Sequence, residues 1–115
     1  MLTKQLSGRP KGTVVEHRAI STSSASMRRT LLMKPDSRVF QFASFTFDVS
    51  VLETLTTLTN GGCICIPSEE QRVGDVAGAI KSLGATWAFL TPSVASLIDP
   101  AVVPSLVSLS FINLL

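Results

Sequence analysis

Short apolar runs and longer mixed stretches take turns along this chain, and the two kinds of block predict different elements. The runs that begin at Arg38, Cys63 and Thr86 are almost wholly apolar and read as strands, the Cys63 run as one covered on both faces. The stretches between them carry a helical period. Val73, Val76, Ala77, Ile80 and Leu83 recur at i, i+3, i+4 and i+7, which predicts an amphipathic helix ended by Gly84. Val51, Leu52, Leu55 and Leu58 keep the same spacing ahead of Asn60-Gly61-Gly62, where glycine tolerates a left-handed helix end. From His17 to Met33 the period is looser. Ile20, Met27 and Leu31 fall near one face, and Ser21, Ser23, Ser24 and Ser26 are expected toward solvent. Strands alternating with helices in this order predict an α/β fold, a parallel sheet with crossover helices.

Punctuation residues fill in the rest. Met1 to Gly12 is polar, with Gly8, Pro10 and Gly12 close together, and reads as a loop. Thr13, Val14 and Val15 form a short β-prone run. Lys34-Pro35 stops the helix before it, because proline disfavours helical geometry in the preceding residue. Ser68 to Arg72 reads as a polar connection. Thr91-Pro92 pairs a capping hydroxyl with a first-turn proline, so a short helix is expected over Ser93 to Ile98, stopped by Asp99-Pro100. From Val107 to Leu115 there is no charge and no cap, the look of a strand cut short or of foreign sequence.

The stretch from Arg38 to Leu58 concentrates the chemistry. It reads as a buried strand, a short turn and a helix, with Val39, Phe40, Phe42, Phe45 and Phe47 crowded into the strand. Asp48 stands where the strand hands over to the helix. A carboxylate among phenylalanines needs a partner. Two are open to it: the free amides of its own helix, which Asp caps well, or a ligand. One oxygen can serve each.

Composition narrows the class. At 115 residues the chain suits one small domain at most. A formal net charge of +2 argues for neither nucleic acid nor an acidic membrane as partner. Cys63 and Cys65 are two apart; a disulfide there would be badly strained, and His17, the only histidine, leaves a zinc site short of ligands. The two cysteines read as small buried apolar side chains, and no metal site is expected. No apolar leader opens the chain, no run reaches the roughly 18 to 20 apolar residues of a membrane helix, and a cytoplasmic home is the expectation.

Three segments in order carry a family resemblance: SGRPKGTVVEHRAI, then FASFTFDVSVLETLTTLTNGGCICIPSEE, then LGATWAFLTPSVASLIDP. Together they resemble the adenylation domain of a nonribosomal peptide synthetase, a member of the AMP-forming, acyl-adenylating superfamily, over about Ser7 to Ser110. The resemblance implies a piece of that fold's large subdomain, divided as a partial phosphate-binding loop (1–12), an adenylation-domain core (13–109) and a divergent tail (110–115). It implies activation of an amino acid by ATP with Mg2+, in which the carboxylate attacks the α-phosphate to give an aminoacyl adenylate and pyrophosphate. The acyl group then passes to a phosphopantetheine thiol on a carrier domain. Chemistry of this kind asks a protein for positioning and charge stabilisation.

By the same resemblance, Ser7, Gly8, Lys11 and Gly12 match the later half of the phosphate-binding loop. Asp48 matches the aspartate that holds the substrate's α-ammonium, a directional anchor in a dry pocket. Val49, Leu52 and Phe89 fall at positions lining the side-chain pocket, and all three are apolar, which hints at an apolar or aromatic substrate side chain. His17 matches a frequent histidine and reads as structural. No residue of the chain is assigned a catalytic role. The chain departs from the family at both ends. Thr3 to Gly8 lack the glycine and hydroxyls with which the loop should open, and Ser110 to Leu115 stand where a strand and a Gly-Gly-Glu turn are expected. A piece of a larger synthetase, or a relic of one, inactive by itself, is the expectation. Competing readings are an acyl- or aryl-CoA ligase, which would give Asp48 no ammonium to hold; a non-catalytic α/β remnant; and minor-groove DNA binding through Gly8-Arg9-Pro10-Lys11.

Overall fold

A computed structural model describes residues 2–4, 11–106 and 108–111. Four strands form one parallel sheet: β3 (Arg38–Phe40), β4 (Cys63–Cys65), β5 (Trp87–Leu90) and β6 (Ser108–Phe111), in the order β4-β3-β5-β6. Register pairs Val39 with Ile64 on one side and with Trp87 on the other, and Ala88 with Leu109. Apart from the sheet, β1 (Leu2–Lys4) and β2 (Lys11–Thr13) make an antiparallel pair. The parallel α/β expectation therefore holds, and strand pairing runs two residues past Leu109.

Two apolar clusters lie on the two faces, as period-2 alternation requires. Phe40, Ala88 and Leu90 point to one face and pack against Ala79 and Ile80 of α5 (Val76–Leu83) and beside Val94 and Ala95 of α6 (Pro92–Ala95). Val39 and Trp87 point to the other and pack with Met33 and Leu31, just past α1 (His17–Thr30). The buried Trp87 indole donates to the Leu31 carbonyl at 3.0 Å, which ties the end of α1 to the sheet.

Several expected boundaries move. Strand β3 stops at Phe40; 41–48 is a loop, and Phe45 and Phe47 are exposed rather than packed in a strand. Val14 and Val15 lie outside β2 and are exposed. Ser68 to Arg72 belongs to a helix, α4 (Glu69–Gly74), because Ser68 and Gln71 form a reciprocal capping box. Asp75 breaks that helix from α5 and caps it through the Gly78 amide at 2.8 Å, leaving Val73 exposed. Helix α1 ends before Lys34-Pro35. Leu32 takes a left-handed φ of 55°, and the Met33 amide reaches back to the Arg28 carbonyl at 3.0 Å, a Schellman ending with leucine where glycine is usual.

The largest change concerns the helix after Asp48. It runs as α2 (Val49–Val51), a π-helical stretch over Leu52–Thr56, and α3 (Thr57–Thr59). Its buried residues are Ser50, Glu53, Thr56 and Thr57, while Leu55 and Leu58 are exposed. On α1, likewise, Ser24 is buried and Met27 largely exposed. The two buried hydroxyls of Ser24 and Thr56 meet at 3.3 Å and join the helices. Gly61, at φ 80°, ends α3 as the sequence indicates.

Candidate functional site

Chain order and strand order part company at β3. From it the chain goes first to β4 on one side and then to β5 on the other. The segments leaving the carboxyl ends of β3 and β5 therefore diverge, and in open α/β sheets the crevice between such segments is where ligands bind. Asp48 comes from the first of these segments; Phe89 and Thr91 sit at the end of the second.

Asp48 occupies the N-cap position of α2, but its backbone is already helical, at φ −61° and ψ −28°, and its carboxylate accepts no capping hydrogen bond. The capping role is thus not taken up. The side chain is exposed and, among the described residues, forms no ion pair. It stands at the wall of a cavity of about 350 Å³ between α1 and the helix that follows it. Val49, Leu52 and Phe89 line the same cavity, joined by Ile20, Met27 and Leu55, and the hydroxyl residues Ser23, Ser24 and Thr56 also border it. A smaller cavity of about 160 Å³ lies on the other side of Asp48, against Phe42, Phe47 and Thr91. All four residues expected on the substrate side therefore converge on one site. An unpaired carboxylate beside apolar walls suits a ligand with a cationic head and an apolar body.

What holds the loop carrying Asp48 was not legible as a motif. Gln41 still pairs with the sheet, its amide donating to the Cys65 carbonyl at 2.9 Å. The next two amides turn away to Glu53, Phe42 at 3.2 Å and Ala43 at 3.2 and 3.0 Å to the two oxygens. The Gln41 side-chain amide donates to Glu53 at 3.1 Å and also to the Ala43 carbonyl. Its oxygen accepts from Arg72 of α4 at 3.0 Å. The network so crosses the end of β3 from one face of the sheet to the other. Glu53 is fully buried, and burial pushes its carboxyl up to about 7; the Phe42 and Ala43 amides, Gln41 and Arg72 pull the other way. One sequence signal existed: Glu53 is the only charged residue between Asp48 and Glu69.

The expected phosphate side is less defined. Ser7 and Gly8 lie outside the described residues, while Lys11 and Gly12 belong to β2, where Gly12 pairs with Thr3. His17 is exposed at the start of α1. Cys65 is buried, but Cys63 is exposed near the Arg38 guanidinium, at 3.8 Å, so only one of the two cysteines is the buried apolar side chain expected. Among the described residues no group of three His, Cys, Asp or Glu side chains gathers where it could hold a metal, and no helix is long and apolar enough to cross a membrane.

A parallel α/β sheet with a crevice at its switch point defines the class of open α/β folds, in which ligands bind at such a crevice. Within that class the chain belongs to the AMP-binding enzyme family, whose model matches residues 7–111. It is 52% identical over 106 residues to nonribosomal peptide synthetase 1 of Aspergillus fumigatus, and 48% identical over 106 residues to the nonribosomal peptide synthetase nlsA of Emericella nidulans. Each match covers 92% of this chain and 2% of the relative, so the chain spans about a fiftieth of their length. Among solved structures it resembles the Vibrio cholerae adenylation domain AlmE, crystallised with glycyl-adenosine-5'-phosphate. The TM-score is 0.75 at 25% identity, over 92% of this chain and 21% of AlmE.

Proposed function

We propose that this chain forms the substrate side of an amino-acid-activating site in nonribosomal peptide synthesis. Asp48 holds the α-ammonium, and Val49, Leu52 and Phe89 wall the space for an apolar side chain. The single observation that carries the reading is the Asp48 carboxylate, without an ion-pair partner among the described residues, at an apolar cavity shared with those three residues. Likeness to an adenylation domain bound to an aminoacyl adenylate supports it. The same geometry favours an amino acid over the plain acyl or aryl acid of a CoA ligase, because a carboxylate here repels an anionic ligand that lacks an ammonium.

Ser7, Gly8, Lys11 and Gly12 are proposed for the triphosphate, through backbone amides, a hydroxyl and an ammonium. ATP with Mg2+ supplies the leaving pyrophosphate, and a phosphopantetheine thiol on a carrier domain of the same synthetase, in the cytoplasm, receives the acyl group. Residues 1–12, 13–109 and 110–115 correspond on this reading to part of the phosphate loop, the core and a divergent tail.

The test is binding of L-leucinol and L-phenylalaninol, which keep the ammonium and the apolar side chain, against isocaproic and hydrocinnamic acids, which lack the ammonium. The amino alcohols should bind to the wild-type chain and lose at least about tenfold in affinity with Asp48→Asn, the loss of one charge-assisted contact. Equal binding of the acids, or no effect of Asp48→Asn, would overturn the assignment. The chain by itself should give no amino-acid-dependent ATP–pyrophosphate exchange.

A further inference from the structure

The polypeptide leaves β3 at Gln41 and reaches Asp48 through a loop with no strand neighbour. Its first two amides, Phe42 and Ala43, find their acceptors on one side chain, Glu53. Glu53 follows Leu52 inside the π-helical stretch. Adjacent residues on a helix point to different sides, and here Leu52 lines the cavity while Glu53 turns inward to the loop. One turn of helix so builds a wall of the cavity and grips the loop that brings Asp48 to it. Gln41 braces the carboxylate and is itself held by Arg72 of α4.

Resting on the reading of Asp48 as an ammonium anchor, we propose that Glu53 is a positioning residue for that site, fixing the distance between Asp48 and the apolar wall through the Phe42 and Ala43 amides. When ionised the carboxyl suits the task, because it is then acceptor-only and carries two oxygens for several converging donors. Glutamine has the same shape but turns one of those acceptors into a donor facing other donors. π-Helical turns recur at functional sites, and this one carries both side chains.

The experiment compares wild type, Glu53→Gln and Glu53→Asp in this chain by amide hydrogen exchange and by L-phenylalaninol affinity. Glu53→Gln should speed exchange at Phe42, Ala43 and onward to Asp48 relative to β3 and β5, and weaken binding about tenfold. Glu53→Asp, which keeps the acceptors, should recover part of both. A melting temperature that falls while loop exchange and affinity stay as in wild type would reduce Glu53 to a structural role and overturn the proposal. Should wild type bind no amino alcohol, the reading of Asp48 fails, and the exchange comparison still decides whether Glu53 orders the loop. Should Glu53→Gln not fold, the wild-type chain decides by titration. The charged group facing Glu53 is Arg72. The amide resonances of Phe42, Ala43 and Val49 should then move with one shared midpoint; a Val49 amide indifferent to it overturns the proposal.

Discussion

The Ala43 amide is shared between both oxygens of Glu53, at 3.2 and 3.0 Å, across ten residues of chain. This contact bends the backbone off the parallel sheet and toward the cavity, and it places a buried carboxyl under the loop that carries Asp48.

Burial of that carboxyl makes stability depend on pH. The Glu53 carboxyl sits at about 7 in the folded chain against 4.5 as its ordinary value, so between the two the folded state binds more protons than the unfolded one. Stability must then fall with rising pH. Its contribution is complete below about 4.5 and is lost as pH passes through about 7. The difference is on the order of 3 kcal/mol. Denaturant midpoints measured at pH 5 and pH 8 should show it, with Glu53→Gln flattening the dependence.

Ser24 and Thr56 join α1 to the π-helical stretch by a buried hydroxyl contact. Removing one partner leaves the other unsatisfied, which costs about 1–3 kcal/mol, whereas removing both costs less than the sum. A double-mutant cycle with Ser24→Ala and Thr56→Val should therefore give a coupling of about 0.5–1.5 kcal/mol by chemical denaturation.

Leu32 is exposed and left-handed at the end of α1, where a β-carbon is unfavourable. Leu32→Gly relieves that strain and sacrifices little burial. The variant should be more stable by about 0.5–1 kcal/mol, after the added freedom of glycine in the unfolded chain is subtracted. A rise in melting temperature checks it.

Leu58, Ile66, Val73 and Leu97 are large apolar side chains more than half exposed, and β4 is an edge strand. Such surface favours association. Concentration-dependent self-association by analytical ultracentrifugation and binding of a hydrophobic dye are the expected results. Leu58→Lys with Leu97→Lys should reduce both.

Much of this was already written in the order of residues. Unbroken apolar runs set the parallel strands, since strands covered on both faces have no reason to alternate. Thr91 with Pro92 and the glycines at 61 and 84 placed helix starts and ends through backbone chemistry alone. The family resemblance marked Asp48, Val49, Leu52 and Phe89 as lining one substrate pocket, and the fold brings the four to one cavity. Tertiary structure decided which side of the helices faces inward. A count at 3.6 residues per turn assigns the apolar face with Leu55 and Leu58 to the core, but packing turns the face with Ser50, Glu53 and Thr57 inward instead, together with Thr56. Hydroxyl side chains survive there because they bond back to nearby carbonyls: Ser50 to Phe47 of the loop at 2.7 Å and Thr57 to Glu53 of the helix at 2.6 Å. The acceptors of Glu53 are satisfied by amides that a strand would have used, and only the folded chain brings those amides within reach.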